Sequence, residues 1–404
     1  MTRHLIINKP TICIIILFFM LAGYPCFSQE QANRYDKNRH EEYKVALLIP
    51  LYLEQVADTL WKERLDPLRI SELAPFRFIQ YYQGFMLAAD SLNRQGLNVR
   101  IYVYDVDHND AKVNEVLQKP EMKKMDLIVG PFFKNSFTRV ADFALDNDIP
   151  IINPLSSRND ILGGNPYVFK LLPSVESQPE LVAELVRREF SDHNILLYAA
   201  NLFQNSDMIG MIKEAIERGD PAGKQKVTII DYATDSIHGF RNFASLTRPN
   251  LVIIYAENEV LPAALLSKLS AIKDDYRISV IGLPEWEKLT NIETAYLIAL
   301  KAHIFMAAYT DPQLENVKGL IISYRAKYFD EPLYYAYSGF DAGYFFLYAL
   351  YHYGRDFEKY LDKIDVPLTQ NQFHFVKKDY GGYDNVNWNV LQYMDYFLLK
   401  KSFY

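Results

Sequence analysis

The sequence predicts an α/β protein of two doubly wound, Rossmann-like lobes, and three observations predict it. Short runs such as "DLIVG" at 126–130 and "IPIIN" at 149–153 are β-branched and apolar on every side, as strands buried on both faces of a parallel sheet are. Helix-like segments alternate with these runs, which is how crossover connections read. The alternation occurs twice, separated by the punctuated stretch "NPLSSRNDILGGNPYVFKLLPS" at 153–174.

In order, the first run opens on the strand "YKVALLIPL", followed by a long connection over 54–76 that contains Trp61. Connections beyond about 12–15 residues in a compact domain are usually functional or mobile. A helix "FIQYYQGFMLAADSLNRQG" ends at Gly96, then come the strand "NVRIYVYD", the helix "AKVNEVLQK" and "DLIVG". The second run reads "QPELVAELVRREF" (helix), "NILLYAA" (strand), "SDMIGMIKEAIERG" (helix), "KVTIIDY" (strand), "FRNFASLT" (helix), "NLVIIYA" (strand), "LPAALLSKLSAI" (helix) and "ISVIGLP" (strand). An aromatic-rich helix "YAYSGFDAGYFFLYALYHYG" follows, and "NQFHFVKKDYGGYDNVNWNVLQYMDYFLL" reads as terminal strands around a Gly-Gly turn.

The amino terminus carries Arg3 and Lys9, the apolar core "ICIIILFFMLAG", and small residues at Cys26 and Ser28. That pattern is a secretory signal peptide over 1–28, cleaved after Ser28 and exporting the chain to the periplasm. A retained membrane anchor is the competing reading, disfavoured because the apolar run falls short of the ~20 residues a spanning helix needs. Lipidation at Cys26 is disfavoured by Pro25 and Gly23 in the preceding positions. Residues 29–43 form a charged leader. Both cysteines, Cys13 and Cys26, fall within the signal segment, so the expected mature chain has no disulfide and no thiol chemistry. Losing Arg3 and Lys9 takes the net charge from −7 to −9, which argues against a nucleic-acid partner.

In open parallel sheets the loops leaving the carboxyl ends of the strands line the ligand crevice, so "GPFFKNS" and "NPLSS" should lie side by side. The helix beginning near "NSFTRVADF" turns its free N–H groups and positive dipole end toward that crevice, favouring an anion. Lys134 would strengthen it; Asn135 and Ser136 would contact the anion or cap the helix. Ser156 and Ser157 are turn formers or ligand donors. Glu285 follows Pro284 at a strand end and suits an ammonium, while Tyr255 and Trp286 serve as packing or as a platform. "DVDHNDAKVNEV" places Asp105, Asp107 and Asn109 like the start of a calcium loop, but Asp110 and Val116 stand where Gly and Glu are needed, so helix capping is expected. No catalytic motif of the usual kinds is present, the histidines are scattered singly, and neither enzyme activity nor a cofactor is expected.

Nine pieces, "KVALLIPL", "YYQGFMLAADSLNRQG", "RIYVYDVDHNDAKV", "DLIVGPFFKNS", "IPIINPLSS", "YVFKLLPS", "NLVIIYAENE", "VIGLPE" and "YSGFDAGYFFLYAL", resemble in their order the type I periplasmic binding proteins, the leucine/isoleucine/valine-binding branch. "FIQYYQGFMLAADSL", "VYDVDHND" and "FDAGYFFLYALYHYG" look closest to a branch that often carries a LysM module, for which the leader is too short. The resemblance implies two lobes joined by a three-strand hinge, lobe 1 over 44–162 with 310–362 and lobe 2 over 163–309 with 363–404. In the family's amino-acid binders a Ser after the first turn and an "S/T-P-A-A-T" loop hold the ligand. Here these positions match Lys134, Leu155 by its backbone and Ser157 by its side chain. The second lobe would add Phe203 or Gln204, Glu257 and Glu285; Ser157 and Glu285 fit the pattern, and Lys134 and Glu257 depart from it. Two functions are implied: a solute receptor for a small amino-acid-like or anionic ligand feeding an inner-membrane ABC permease, or a receptor-like module that has left transport for a cell-envelope partner.

Overall fold

The computed structural model describes residues 42–54, 76–220, 223, 225–370, 372–395 and 398–401. The expected signal peptide, almost all of the leader, and nearly all of the 54–76 connection with Trp61 lie outside these residues.

The first run folds as β1 (Tyr43–Ile49), α1 (Ile79–Asn93), β2 (Val99–Asp105), α2 (Asp110–Leu117), β3 (Leu127–Val129), α3 (Lys134–Asp146), β4 (Ile151–Asn153) and β5 (Val168–Lys170). The second comprises α4 (Gln178–Glu189), β6 (Asn194–Ala199), α5 (Ser206–Arg218), β7 (Val227–Asp231), α6 (Tyr232–Phe243), β8 (Asn250–Tyr255), α7 (Val260–Ser270), α8 (Lys273–Tyr276), β9 (Ile278–Leu283), α9 (Thr294–Ala299) and β10 (His303–Met306). Then come α10 (Glu315–Tyr328), α11 (Tyr334–Tyr353), β11 (Phe375–Lys377), β12 (Tyr383–Asn385), β13 (Asn389–Tyr393) and β14 (Leu398–Lys401).

These strands form two seven-stranded sheets, ordered β11-β12-β5-β4-β3-β1-β2 and β14-β13-β10-β9-β8-β6-β7. Both are parallel except at one edge, where β11 runs antiparallel to β12, and β13 and β14 antiparallel to their neighbours. The β-branched runs are strands because both faces are covered: Val45, Leu47 and Ile49 enter one core cluster while Ala46 and Leu48 enter another on the opposite face. Residues 363–404 do not all join the second sheet, as the lobe 2 boundary expects; Phe375–Lys377 and Tyr383–Asn385 pair into the first. The reason is local: Tyr383 stacks on Phe169 of β5 at 4.5 Å, and Phe375 packs among Phe169, Phe345 and Phe346.

The aromatic helix α11 belongs to the first lobe, against α1. A Cβ on Gly84 would sit 1.9 Å from the Ala336 carbonyl oxygen, and one on Gly339 2.0 Å from that of Tyr81, so only glycine lets the two backbones touch. Among the described residues no helix is long and apolar enough to cross a membrane.

Three chain segments pass between the sheets: after β5, after β10, and between β12 and β13. Their backbone groups leave sheet pairing here and need other partners, which the asparagines of "YDNVNWN" supply. Asn385 donates to the Leu171 carbonyl at 2.7 Å and accepts from the N–H groups of His374 and Asn387. Asn389 donates to Met306 O at 3.3 Å and Gln370 O at 3.1 Å, and Asn387 to Gln372 O at 2.8 Å. Asp341 on α11 accepts from Thr369 N and Oγ1 and from Gln370 N, pinning the returning chain beside this hinge.

Candidate functional site

The candidate residues sit on loops leaving the carboxyl ends of strands in both sheets, where doubly wound folds bind ligands. After β3 the chain passes through Gly130-Pro131 and Phe133, and α3 starts at Lys134 with no side-chain cap. Its first amides therefore keep their partial positive charge. Lys134 is not a lone cation. Its Nζ lies 2.8 Å from Asp160 Oδ2, which also accepts from Arg158 at 2.9 Å, and the two cations hold the Asp160 carboxyl below its usual range. The trio retains one net positive charge, contributed by residues that lie apart in sequence. Asn135 is exposed, whereas Ser136 is buried and its hydroxyl donates to the Asp107 carbonyl at 2.8 Å. Ser136 thus joins α3 to the end of β2.

The second loop is shaped by Asn153, whose Oδ1 accepts from Leu155 N at 3.2 Å and Ser156 N at 2.7 Å. The Leu155 amide, the expected backbone contact, is engaged within the turn. Ser156 Oγ accepts from Arg158 N at 3.2 Å, and the Ser157 carbonyl accepts from Lys170 Nζ at 3.3 Å. Ser157 is exposed, so its hydroxyl side faces outward.

In the second lobe Phe203 is 92% exposed and Gln204 donates its N–H to Asn201 at 3.1 Å. Glu257 is exposed just beyond β8, and Glu285 pairs with Lys288 at 2.5 Å. These two carboxylates share a neighbour: burial, followed by Glu257 and Glu285, pushes the Tyr255 hydroxyl up to about 12. Trp286 is packing, since its ring lies where a Gly282 Cβ would be, 2.1 Å away, and its Nε1 donates to Leu283 O. Beside it, burial pushes the Glu287 carboxyl up to about 7, with Glu285 adding to the effect. The Gln178 amide, entering α4 from the first crossover, donates to Pro284 O at 2.9 Å and ties the hinge to this loop.

The structure thus places Lys134 at the α3 start and Glu257 and Glu285 both near Tyr255, and it adds Arg158 and Asp160, which sequence reasoning did not single out, and a loop-holding role for Asp105. The Asp105 carboxylate accepts the N–H groups of Leu51, Tyr52 and Leu53 at 2.8, 2.9 and 2.8 Å, fixing the mouth of the first lobe. The signal for Asp105 was its place at the end of a strand; nothing in sequence pairs Asp160 with Lys134. The stretch from Asp105 is a helix start, as its capping residues led one to expect: Asn109 accepts from Ala111 N and Asp107 pairs with Lys112 at 3.1 Å.

This architecture is the type I periplasmic binding protein fold. A putative branched-chain amino acid ABC transporter protein from Rhodospirillum rubrum superposes with a TM-score of 0.61, at 12% identity over 89% of this chain and 100% of that one. A branched chain amino acid ABC transporter periplasmic ligand-binding protein from Burkholderia xenovorans gives 0.52 at 11% identity over 89% and 94%. Full-length LpoA from Haemophilus influenzae gives 0.50 at 13% identity over 90% of this chain and 60% of that one. No family model and no curated protein matches the sequence.

Proposed function

We propose that the protein is a periplasmic solute-binding receptor that holds a small amino-acid-like or anionic ligand between its lobes and delivers it to an inner-membrane ABC permease. The observation that supports this reading is the opposite charge of the strand-end loops of the two lobes, read as two walls of one crevice. The first lobe offers the uncapped α3 start and the net positive Lys134, Arg158 and Asp160 trio; the second offers Glu257 and Glu285 around Tyr255. A ligand with a carboxylate at one end and an ammonium at the other satisfies both walls. The neighbours from Rhodospirillum rubrum and Burkholderia xenovorans, described as branched-chain amino acid transport proteins, support the same class of ligand. Binding would require no bond making, and the hinge of crossovers provides the closing motion.

Thermal-shift and calorimetric titration of the exported protein against free α-amino acids and small carboxylates tests this reading. Saturable binding that weakens in Glu285→Ala supports it. Absence of binding to every member, with a cell-envelope protein recovered instead, would favour a receptor-like module outside transport.

A further inference from the structure

A second pocket, of about 630 Å³, opens at the other end of the first sheet, beside the amino ends of β4 and β5. That volume lies within the roughly 300–1,000 Å³ of small-ligand sites. Its floor is aromatic: Phe169 and Tyr383 stack at 4.5 Å with their planes 5° apart, and Tyr167 stands at the side, its hydroxyl held by Asp148 at 2.5 Å. Charges of both signs line it. Most are engaged within the lobe: Lys359 with Asp356 at 3.1 Å, and Arg355 with Asp126 at 3.7 Å and the Asp148 carbonyl at 3.3 Å.

Two are left over. Among the described residues Glu358, half-buried in the wall, forms no ion pair; burial raises its carboxyl above the usual range, and the nearby Lys359 and Lys377 offset this only in part. Glu358 lines the pocket together with Tyr167 and Tyr383. Among the described residues Lys377 forms no ion pair; it is exposed, its charge reaches Glu358, and its ammonium stands 5.7 Å from the Tyr383 ring centroid. Glu358 is thus a half-buried acid only partly compensated by these lysines, while the exposed Lys377 ammonium rests on an aromatic face.

We propose that this pocket is a ligand site, separate from the crevice, for a small zwitterion whose ammonium pairs with Glu358 and whose acid group pairs with Lys377 over the Tyr383 ring. Each end of the ligand would add a direct ion pair that the pocket lacks among the described residues. Binding an ammonium beside Glu358 favours its ionised form, so a proton leaves the protein on binding at mildly acidic pH. The site belongs to one lobe and does not depend on closure or on the function proposed for the crevice.

The test is titration calorimetry with ω-amino acids of increasing length, β-alanine, 4-aminobutyrate and 6-aminohexanoate, with butylamine and butyrate as singly charged controls. One zwitterion should bind best, and Glu358→Gln and Lys377→Met should each weaken it roughly tenfold or more. The heat should also vary with the buffer's ionisation enthalpy in the parent and not in Glu358→Gln. A Glu285→Ala variant should leave this binding unchanged, which separates it from the crevice. Failure of all three zwitterions to bind, equal binding of butylamine or butyrate, or loss of binding in Glu285→Ala alone would overturn the proposal. Lys377 is exposed and Glu358 half-buried, and an unchanged melting temperature confirms that both variants fold.

Discussion

Lys170 of β5 and Asp384 of β12 are ion-paired at 2.7 Å with neither side chain exposed to solvent. The same ammonium donates to the carbonyls of Leu172 at 2.6 Å and Ser157 at 3.3 Å, so one buried cation joins the second crevice loop, the first crossover and the strand leading to the third. Lys378 adds a second cation to Asp384 at 3.2 Å; burial, helped by Lys378, lowers the pKa of Lys170 despite Asp384.

Removing one partner leaves a charge stranded in the core. Lys170→Met or Asp384→Asn should therefore each cost about 3–5 kcal/mol in urea unfolding, with Lys170→Met/Asp384→Leu recovering much of the loss. Equal losses in single and double variants would show that packing, not charge, is at stake.

At the crevice, Asp160 occupies two cations at once. Asp160→Asn should tighten binding of a carboxylate ligand by freeing Lys134 and Arg158, while Lys134→Ala alone should weaken it less than Lys134→Ala/Arg158→Ala. Calorimetry on the three variants distinguishes a shared cation site from a single lysine.

Glu287 sets a pH dependence. Its folded carboxyl titrates at about 7 against an ordinary 4.5, so between those values the folded chain holds more protons than the unfolded one. Stability from this group is greatest below the window and declines as pH rises through it. Glu287→Gln should flatten the melting temperature over that range and exceed the parent above it; identical profiles would remove Glu287 as the cause.

The Trp286 ring fills the space over Gly282. Gly282→Ala should displace the indole, which is 4% exposed, shift tryptophan emission to longer wavelength and lower stability by about 1–3 kcal/mol for overpacking.

Much of the fold was legible in the chain. Runs such as "NLVIIYA" can bury both faces only as inner parallel strands, and the helices between them carry one apolar stripe. Which sheet the terminal strands join was not, because "FVK" and "YDN" have no pattern that says which one they extend; the stack of Tyr383 on Phe169 decides it. Among the candidate residues, Lys134 and Glu285 could be picked out from strand-end loops, and Lys288 lies only three residues from Glu285, but the partner of Lys134 could not be found. Asp160 lies 26 residues from Lys134, and sequence spacing carries no information about such a pair. Lys170 was hidden for the opposite reason: in "VFKLLPS" a lysine reads as solvent-facing, and only the distant Asp384 makes its burial tolerable.

The central claim is that the two charged walls hold one small molecule. Native mass spectrometry of the protein exported in its own cell envelope tests it most directly, comparing the parent with Lys134→Ala/Arg158→Ala/Glu285→Ala. The account predicts a small-molecule adduct on the parent that is missing from the triple variant. A parent at its bare polypeptide mass, or an adduct retained in full by the triple variant, would contradict it.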